Sequence, residues 1–376
     1  MTMHSDNVFQ PRQLMSLGLV IMLAPALRIF PAETAALAGR SMWLCPLAAS
    51  PLLIGYMHFL SKFMACRNEG ENFQDLALRA LGPQLGKPAL FLMSLWMLLY
   101  SGFILRAGVD RLIVTTYPNS SPASFTIVMG LLALLAALST PRSLVRMARM
   151  VRPVVLGVLL LLFSFACFSV DLDNLRPVTG ADTIPTLMGA AVSIDIVCCS
   201  AMAMCLIIGG QRKQEGSFRR LSLWTAEVLL LLTLLGVAVV GTFGPELSAN
   251  LSRPFFVLVK NMVFFRTVER VEALVVMLWI FPDFILTSLF LWAGQYSLRL
   301  MLGMDAKYTG PARDFTNGRF VIWLCATAVT VFALLVAPDA LSLELWSAYI
   351  IPALNLSFAF LFFPLIYIIG KEKGRI

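Results

Sequence analysis

The chain has 376 residues, of which 59% are hydrophobic and only 13% charged, and its mean hydropathy is +0.82. Soluble globular domains carry about 25% charged residues, so this composition excludes one and points to a chain embedded in lipid. The net charge of +8 would suggest nucleic acid in a soluble protein, but cationic loops that set membrane topology explain it here, and no nucleic-acid partner is expected.

Residues 1–13 are polar, without a charged n-region or a following cleavage pattern, so the first span itself is expected to direct insertion. Ten apolar runs follow, at about 14–38, 42–64, 86–113, 123–140, 153–170, 184–209, 220–243, 271–299, 319–337 and 346–369. Backbone groups in lipid must bond within their own segment, so each run is predicted to be a helix. The first, third, sixth and eighth are too long for one straight crossing and are expected to tilt, break or extend into water. The stretch 66–83 reads as a short amphipathic helix. The stretch 244–270, with Pro245, Pro254 and apolar residues among Arg253, Lys260 and Arg266, reads as an interfacial helix or a cap. No loop is long enough for a soluble domain, so 1–376 is one polytopic membrane domain.

Lysine and arginine alternate between loops. Twenty of the 29 fall on one side: at Arg12, in 62–87, 142–152, 212–220 and 299–319, and in the tail at Lys371, Lys373 and Arg375. The positive-inside rule places both termini in the cytoplasm, which requires an even number of spans, and ten fits.

Two spans carry signs of a break. In the first, Leu23-Ala24-Pro25-Ala26 interrupts the run, and proline removes an intrahelical bond. In the sixth, the small and polar run from Gly189 through Ser193 and Ile194 to Asp195 lies near the middle. Broken first and sixth helices are the pattern of a 5+5 inverted repeat, a LeuT-like fold, here about 14–170 and 184–369. Half-helix ends would offer N–H groups to a carboxylate and carbonyls to an ammonium group.

Ionisable groups inside spans are costly and are read first as functional. Asp195 is either a polar anchor or protonation site, or a neutral acid bonded to a neighbouring helix. Arg106 and Asp110, four apart on the third span, are expected to form a structural ion pair. Asp283 follows Pro282 in the eighth span, where a kink could open backbone beside its carboxyl. Arg28 and Glu33 are placed at the solvated mouth of the first span. Tyr100, with Ile104 a turn beyond it, and Thr287 are central in the third and eighth spans and are candidates for ligand contact or for packing. The seven cysteines show no CxxC spacing, and Cys198–Cys199 reads as small apolar packing. Two histidines, His4 and His58, make no metal site. No catalytic group, phosphate loop or redox motif is present, so neither an enzyme nor a cofactor is expected.

Three stretches resemble the endospore germination permease family, the B subunit of spore nutrient germinant receptors. The first is Pro11-Arg12-Gln13-Leu14 entering the first span. The second is Arg176-Pro177-Val178 with Gly180, Ile184, Pro185 and Gly189. The third is Glu269-Arg270-Val271-Glu272-Ala273-Leu274 followed by Trp279. Length and span count match over essentially the whole chain.

The resemblance implies the amino acid–polyamine–organocation transporter superfamily and a small nutrient ligand, often an amino acid. The ligand would sit between the broken first and sixth helices, beside the third and eighth. It further implies A and C subunits as partners, a place in the inner membrane of the spore, and germination triggered by binding. Glu269, Arg270 and Glu272 are read as a clamp that positions the eighth helix rather than as ligand contacts. A proton-coupled amino-acid transporter and a ligand-free scaffold are the competing readings.

Overall fold

The computed structural model describes residues 10–117, 119–176, 178–210, 217–261, 272–304 and 318–376. Every regular element among them is helical. We number the principal helices α1 Pro11–Arg28, α2 Phe30–Ala38, α3 Cys45–Ala65, α4 Phe73–Thr115, α5 Pro122–Ala137 and α6 Pro141–Ala166. They continue with α7 Thr183–Cys205, α8 Ser217–Asn250, α9 Pro254–Asn261, α10 Glu272–Met301, α11 Gly318–Leu335 and α12 Ala340–Glu372. Each of the ten apolar runs contains a described helix. Among the described residues, seven helical segments are long and apolar enough to cross a membrane, and Pro122–Ala137 and Phe320–Leu335 are shorter apolar helices.

Local chemistry sets the ends and joints. Proline opens α5 and α6 in the first turn, where its missing N–H costs nothing. Asn72 caps α4 in a reciprocal box with Asp75, whose Oδ2 accepts from Asn72 N at 3.0 Å. The amphipathic helix expected at 66–83 is the first part of α4, set off by a joint at Gly82. Gly82-Pro83 in α4 and Gly244-Pro245 in α8 have nearly the same geometry, with glycine φ of 75° and 74°. A side chain is strained at that φ, and proline cannot donate to the preceding turn, so both helices bend there. α12 is regular except for two π turns, Trp346–Ile350 and Phe358–Phe362.

α4 packs most extensively on α10. Ser94 Oγ donates to the Gly294 carbonyl and Ser101 Oγ to the Thr287 carbonyl, each at 2.9 Å. One residue number rises as the other falls, so the two helices are antiparallel. A large core joins α1, α4, α7, α8, α10 and α12, and a smaller one fills the space among α4, α5, α10 and α11.

Neither expected break is present as an unwound segment. α1 continues through Leu23–Ala26 to Arg28, and the chain turns at Ile29, whose φ and ψ of −90° and −46° stay helical. Pro25 deletes only its own bond to the preceding turn, while its carbonyl still accepts from Ile29 N at 2.7 Å. α7 is regular from Thr183 to Cys205. Its small residues serve close packing: a Cβ on Gly189 would lie 2.6 Å from Cys45 Sγ and 3.0 Å from Ala38 Cβ.

The 244–270 stretch does hold an interfacial-type helix, α9, which buries Phe255, Leu258 and Val259. Arg266 and, of the expected clamp, Glu269 and Arg270 lie outside the described residues, and Glu272 begins α10.

Asp339 caps α12, accepting from Ser342 N at 2.8 Å and from the Ser342 hydroxyl. Those two bonds hold its carboxyl below the ordinary carboxylate range. A depressed folded pKa contributes stability above the unfolded pKa that is lost as pH falls through the folded one. Asp339→Ala is therefore expected to melt below the wild type at neutral pH. The gap should close on acidification, and thermal melts across pH check it.

Candidate functional site

The sequence-predicted residues come from four helices, and all but the half-buried Ile194 are buried in the bundle. Ala24, Tyr100, Asp195 and Thr287 are each 2% exposed, and Ser193 is fully buried. Asp195 Oδ1 and Ser193 Oγ have no hydrogen-bond partner. Beside the Asp195 carboxyl lies the Asn355 carboxamide of α12, whose Oδ1 accepts from Trp96 Nε1 at 3.1 Å. Tyr100 meets the Phe290 ring edge-on at 4.8 Å, and its hydroxyl adjoins Cys199. The Cys198–Cys199 pair is unbridged and buried, as expected of packing residues.

Arginine enters this interior twice, at Arg28 and at Arg111. Arg28 is half-buried rather than solvated: its guanidinium sits 4.7 Å from the Phe103 ring centre and donates to Ser347 Oγ at 3.2 Å. It lies within electrostatic reach of Arg111, Tyr100, Asp283 and Asp195. Arg111 is 4% exposed and pairs with Asp283, itself 6% exposed. Its Nη1 lies 3.5 Å from the Ala24 carbonyl, and its guanidinium is 5.5 Å from the Trp279 ring centre. Gly108 makes room for the pair, because a Cβ there would lie 2.9 Å from Asp283 Oδ2. Asp283 thus serves a buried ion pair, and α10 passes through Pro282 without a break in the helix.

The expected Arg106–Asp110 pair is present but long, at 4.0 Å. Asp110 has a closer partner in Arg253, at 2.5 Å, which ties the start of α9 to α4. Arg106 Nε instead donates to the Ala337 carbonyl at 3.0 Å.

Two hollows adjoin this region. One is a partly open crevice of about 400 Å³ among α4, α5 and α10 that includes Ile104 and Thr287, with Arg111 and Asp283 in its wall. The other, about 220 Å³, is lined by apolar side chains of α1, α6 and α8, including Leu23 and Ala26. The structure therefore brings Tyr100 and Asp195 together in a packed centre, and divides Ile104 and Thr287 from Leu23 and Ala26. Among the described residues, no cluster of His, Cys, Asp and Glu could hold a metal ion.

An all-helical bundle of apolar spans, with ionisable groups buried at its middle, defines an integral membrane protein of transporter-like architecture. In the solved structures, a Na+-coupled sialic acid symporter in a substrate-bound outward-open state shares this fold. The TM-score is 0.51 at 13% identity, over 93% of this chain and 79% of that one. No curated protein matches the chain in sequence. The model of the spore germination protein family matches residues 9–340, and the chain belongs to that family. Its family and its structural neighbour are a permease and a symporter, which are not enzymes.

Proposed function

We propose that the chain is a ligand-sensing subunit built on a transporter fold, which binds a small nutrient, an amino acid, and so triggers spore germination. The observation that carries this reading is the Asp195 carboxyl in the middle of the bundle, whose Oδ1 has no hydrogen-bond partner. A buried polar group left unmade costs about 1–3 kcal/mol, and native folds keep few of them unless a ligand or water completes the bond. Arg28, which pairs with no carboxylate among the described residues, supplies the opposite charge from the facing helix. Arg28 suits the carboxylate of a zwitterion and Asp195 its ammonium group. Side chains of α1, α4, α7 and α10 would have to part to admit it, and that movement is the signal.

In this reading all ten helical runs span the membrane as a 5+5 inverted repeat, with both termini in the cytoplasm. The chain works in the inner membrane of the spore with A and C subunits, and Glu269, Arg270 and Glu272 position α10.

The test is thermal stabilisation of the purified protein by the common amino acids, repeated with Asp195→Asn. One amino acid is expected to raise the melting temperature of the wild type. Its affinity for Asp195→Asn should fall at least about tenfold, since a hydrogen bond to a charged group contributes about 1.5–3 kcal/mol. Equal binding by both proteins would remove Asp195 from the site.

A proton-coupled transporter is the second reading, favoured by a lone carboxyl in the core and by the likeness to a symporter. Amino-acid accumulation in proteoliposomes driven by a pH gradient would select it over the sensor.

A further inference from the structure

The 400 Å³ crevice between α4, α5 and α10 is separate from the Asp195 centre. It lies at the seam between the two packed cores: Ile104 and Trp279 belong to one, Leu105 and Ala133 to the other. Its wall is hydrocarbon except where Arg111, Asp283, Trp279 and Thr287 contribute. Two of these present N–H donors that nothing accepts. Arg111 Nε has no partner, although the same guanidinium is bonded to Asp283 through Nη2, and Trp279 Nε1 has none either. Both residues are at least nine-tenths buried, so neither donor is compensated by solvent.

Two orphaned donors beside an empty apolar space call for an oxygen acceptor. The charge of that acceptor follows from Asp283. The Arg111 cation is already neutralised, and a second carboxylate in the same wall would stand against the Asp283 carboxylate in a low-dielectric interior, where like charges repel strongly. An uncharged oxygen meets the donors without that cost. We infer that this crevice is a second binding site, for an uncharged molecule with a carbonyl oxygen on a hydrocarbon body, distinct from a zwitterion site at Asp195. The carbonyl accepts from Arg111 Nε and Trp279 Nε1, and the hydrocarbon fills the space beside Ala133. Such a carbonyl is found on the ester of a membrane lipid and equally on a free ester or amide.

The site does not depend on what binds at Asp195, and the two fail separately. The experiment uses the full chain purified in detergent, with methyl hexanoate and hexanamide as probes, and hexane and hexanoate as controls. Binding is read by saturable thermal stabilisation, and co-purifying lipid by native mass spectrometry. Free-ligand occupancy predicts that both probes stabilise the protein, hexane does not, and hexanoate does so at least about tenfold more weakly. Lipid occupancy predicts instead a retained phospholipid that the probes displace.

Either result must weaken in Trp279→Phe, which keeps an aromatic ring but loses one donor: about fivefold in affinity, the loss of a hydrogen bond of about 1 kcal/mol. Ala133→Phe, which fills the hydrocarbon end, should abolish it. Trp279→Phe alone decides the matter if Ala133→Phe does not fold. Hexane binding as well as the probes, hexanoate binding better than them, or full affinity in Trp279→Phe would overturn the assignment. So would a protein that neither retains lipid nor responds to any probe.

Discussion

Asp283→Leu is expected to be the most damaging single substitution in the bundle, worse than Arg111→Met, and the double variant is expected to recover. The pair is buried on both sides. Breaking such a pair from one side costs about 3–5 kcal/mol, because the remaining charge is left in a medium that cannot solvate it. The two remaining charges are not equivalent. A carboxylate stranded in Arg111→Met can take up a proton and become neutral, whereas the guanidinium stranded in Asp283→Leu cannot lose one in a protein. Removing both leaves an apolar seam of similar volume, and such replacements are often neutral or stabilising. Melting temperature and folded yield in detergent give the order: wild type and double variant together, Arg111→Met below them, Asp283→Leu lowest. A double variant no better than the worse single would mean that the pair does more than neutralise itself.

The second large effect is steric. Gly189→Leu should leave little folded protein, and Gly189→Ala should lower the melting temperature. A single added Cβ lies 2.6 Å from Cys45 Sγ, 3.0 Å from Ala38 Cβ and 3.1 Å from Thr34 Cγ2, all on elements packed against α7. Overpacking of a filled interior costs roughly 1–3 kcal/mol per added group or two, through strained rotamers and shifted backbone. The closest neighbour is a side-chain sulfur, so Cys45→Ala removes the worst contact. Gly189→Ala with Cys45→Ala should recover a good part of what Gly189→Ala loses. A double variant as unstable as the sum of the two singles would place the clash elsewhere, on Ala38 or Thr34.

The helices were legible in the sequence, because the length of an apolar run is a coarse quantity that lipid reads directly. All ten apolar runs contain helices, and Pro254–Asn261 forms the interfacial-type helix expected between Pro245 and the eighth run. The breaks were not legible. Pro25 disrupts a helix on average, but here the turn tolerates its missing donor, and the chain bends at Ile29 instead. The small residues around Gly189 could equally mean unwinding or close approach, and only the position of Cys45 and Ala38 decides between them.

Of the site, Asp195, Ser193 and Tyr100 are buried, as their mid-span positions suggest. Arg28 was misread because a position near the end of a span suggests water. An arginine side chain is long, and it can reach back along its helix to a buried acid. The signal for Arg111 was available: Asp283, an unpaired acid in the eighth span, required a cation from a neighbour, and the third span had one to spare beyond Arg106.

The two π turns of α12 give the last helix an unusual internal phase. Each adds one residue to a turn, and one residue of α-helix is about 100° of rotation. Asn355, buried at 1% exposure, falls between them, so the segment that carries it is rotated relative to the helix on either side. Its carboxamide faces Asp195 by virtue of that offset, while the flanking segments keep their own faces for other neighbours.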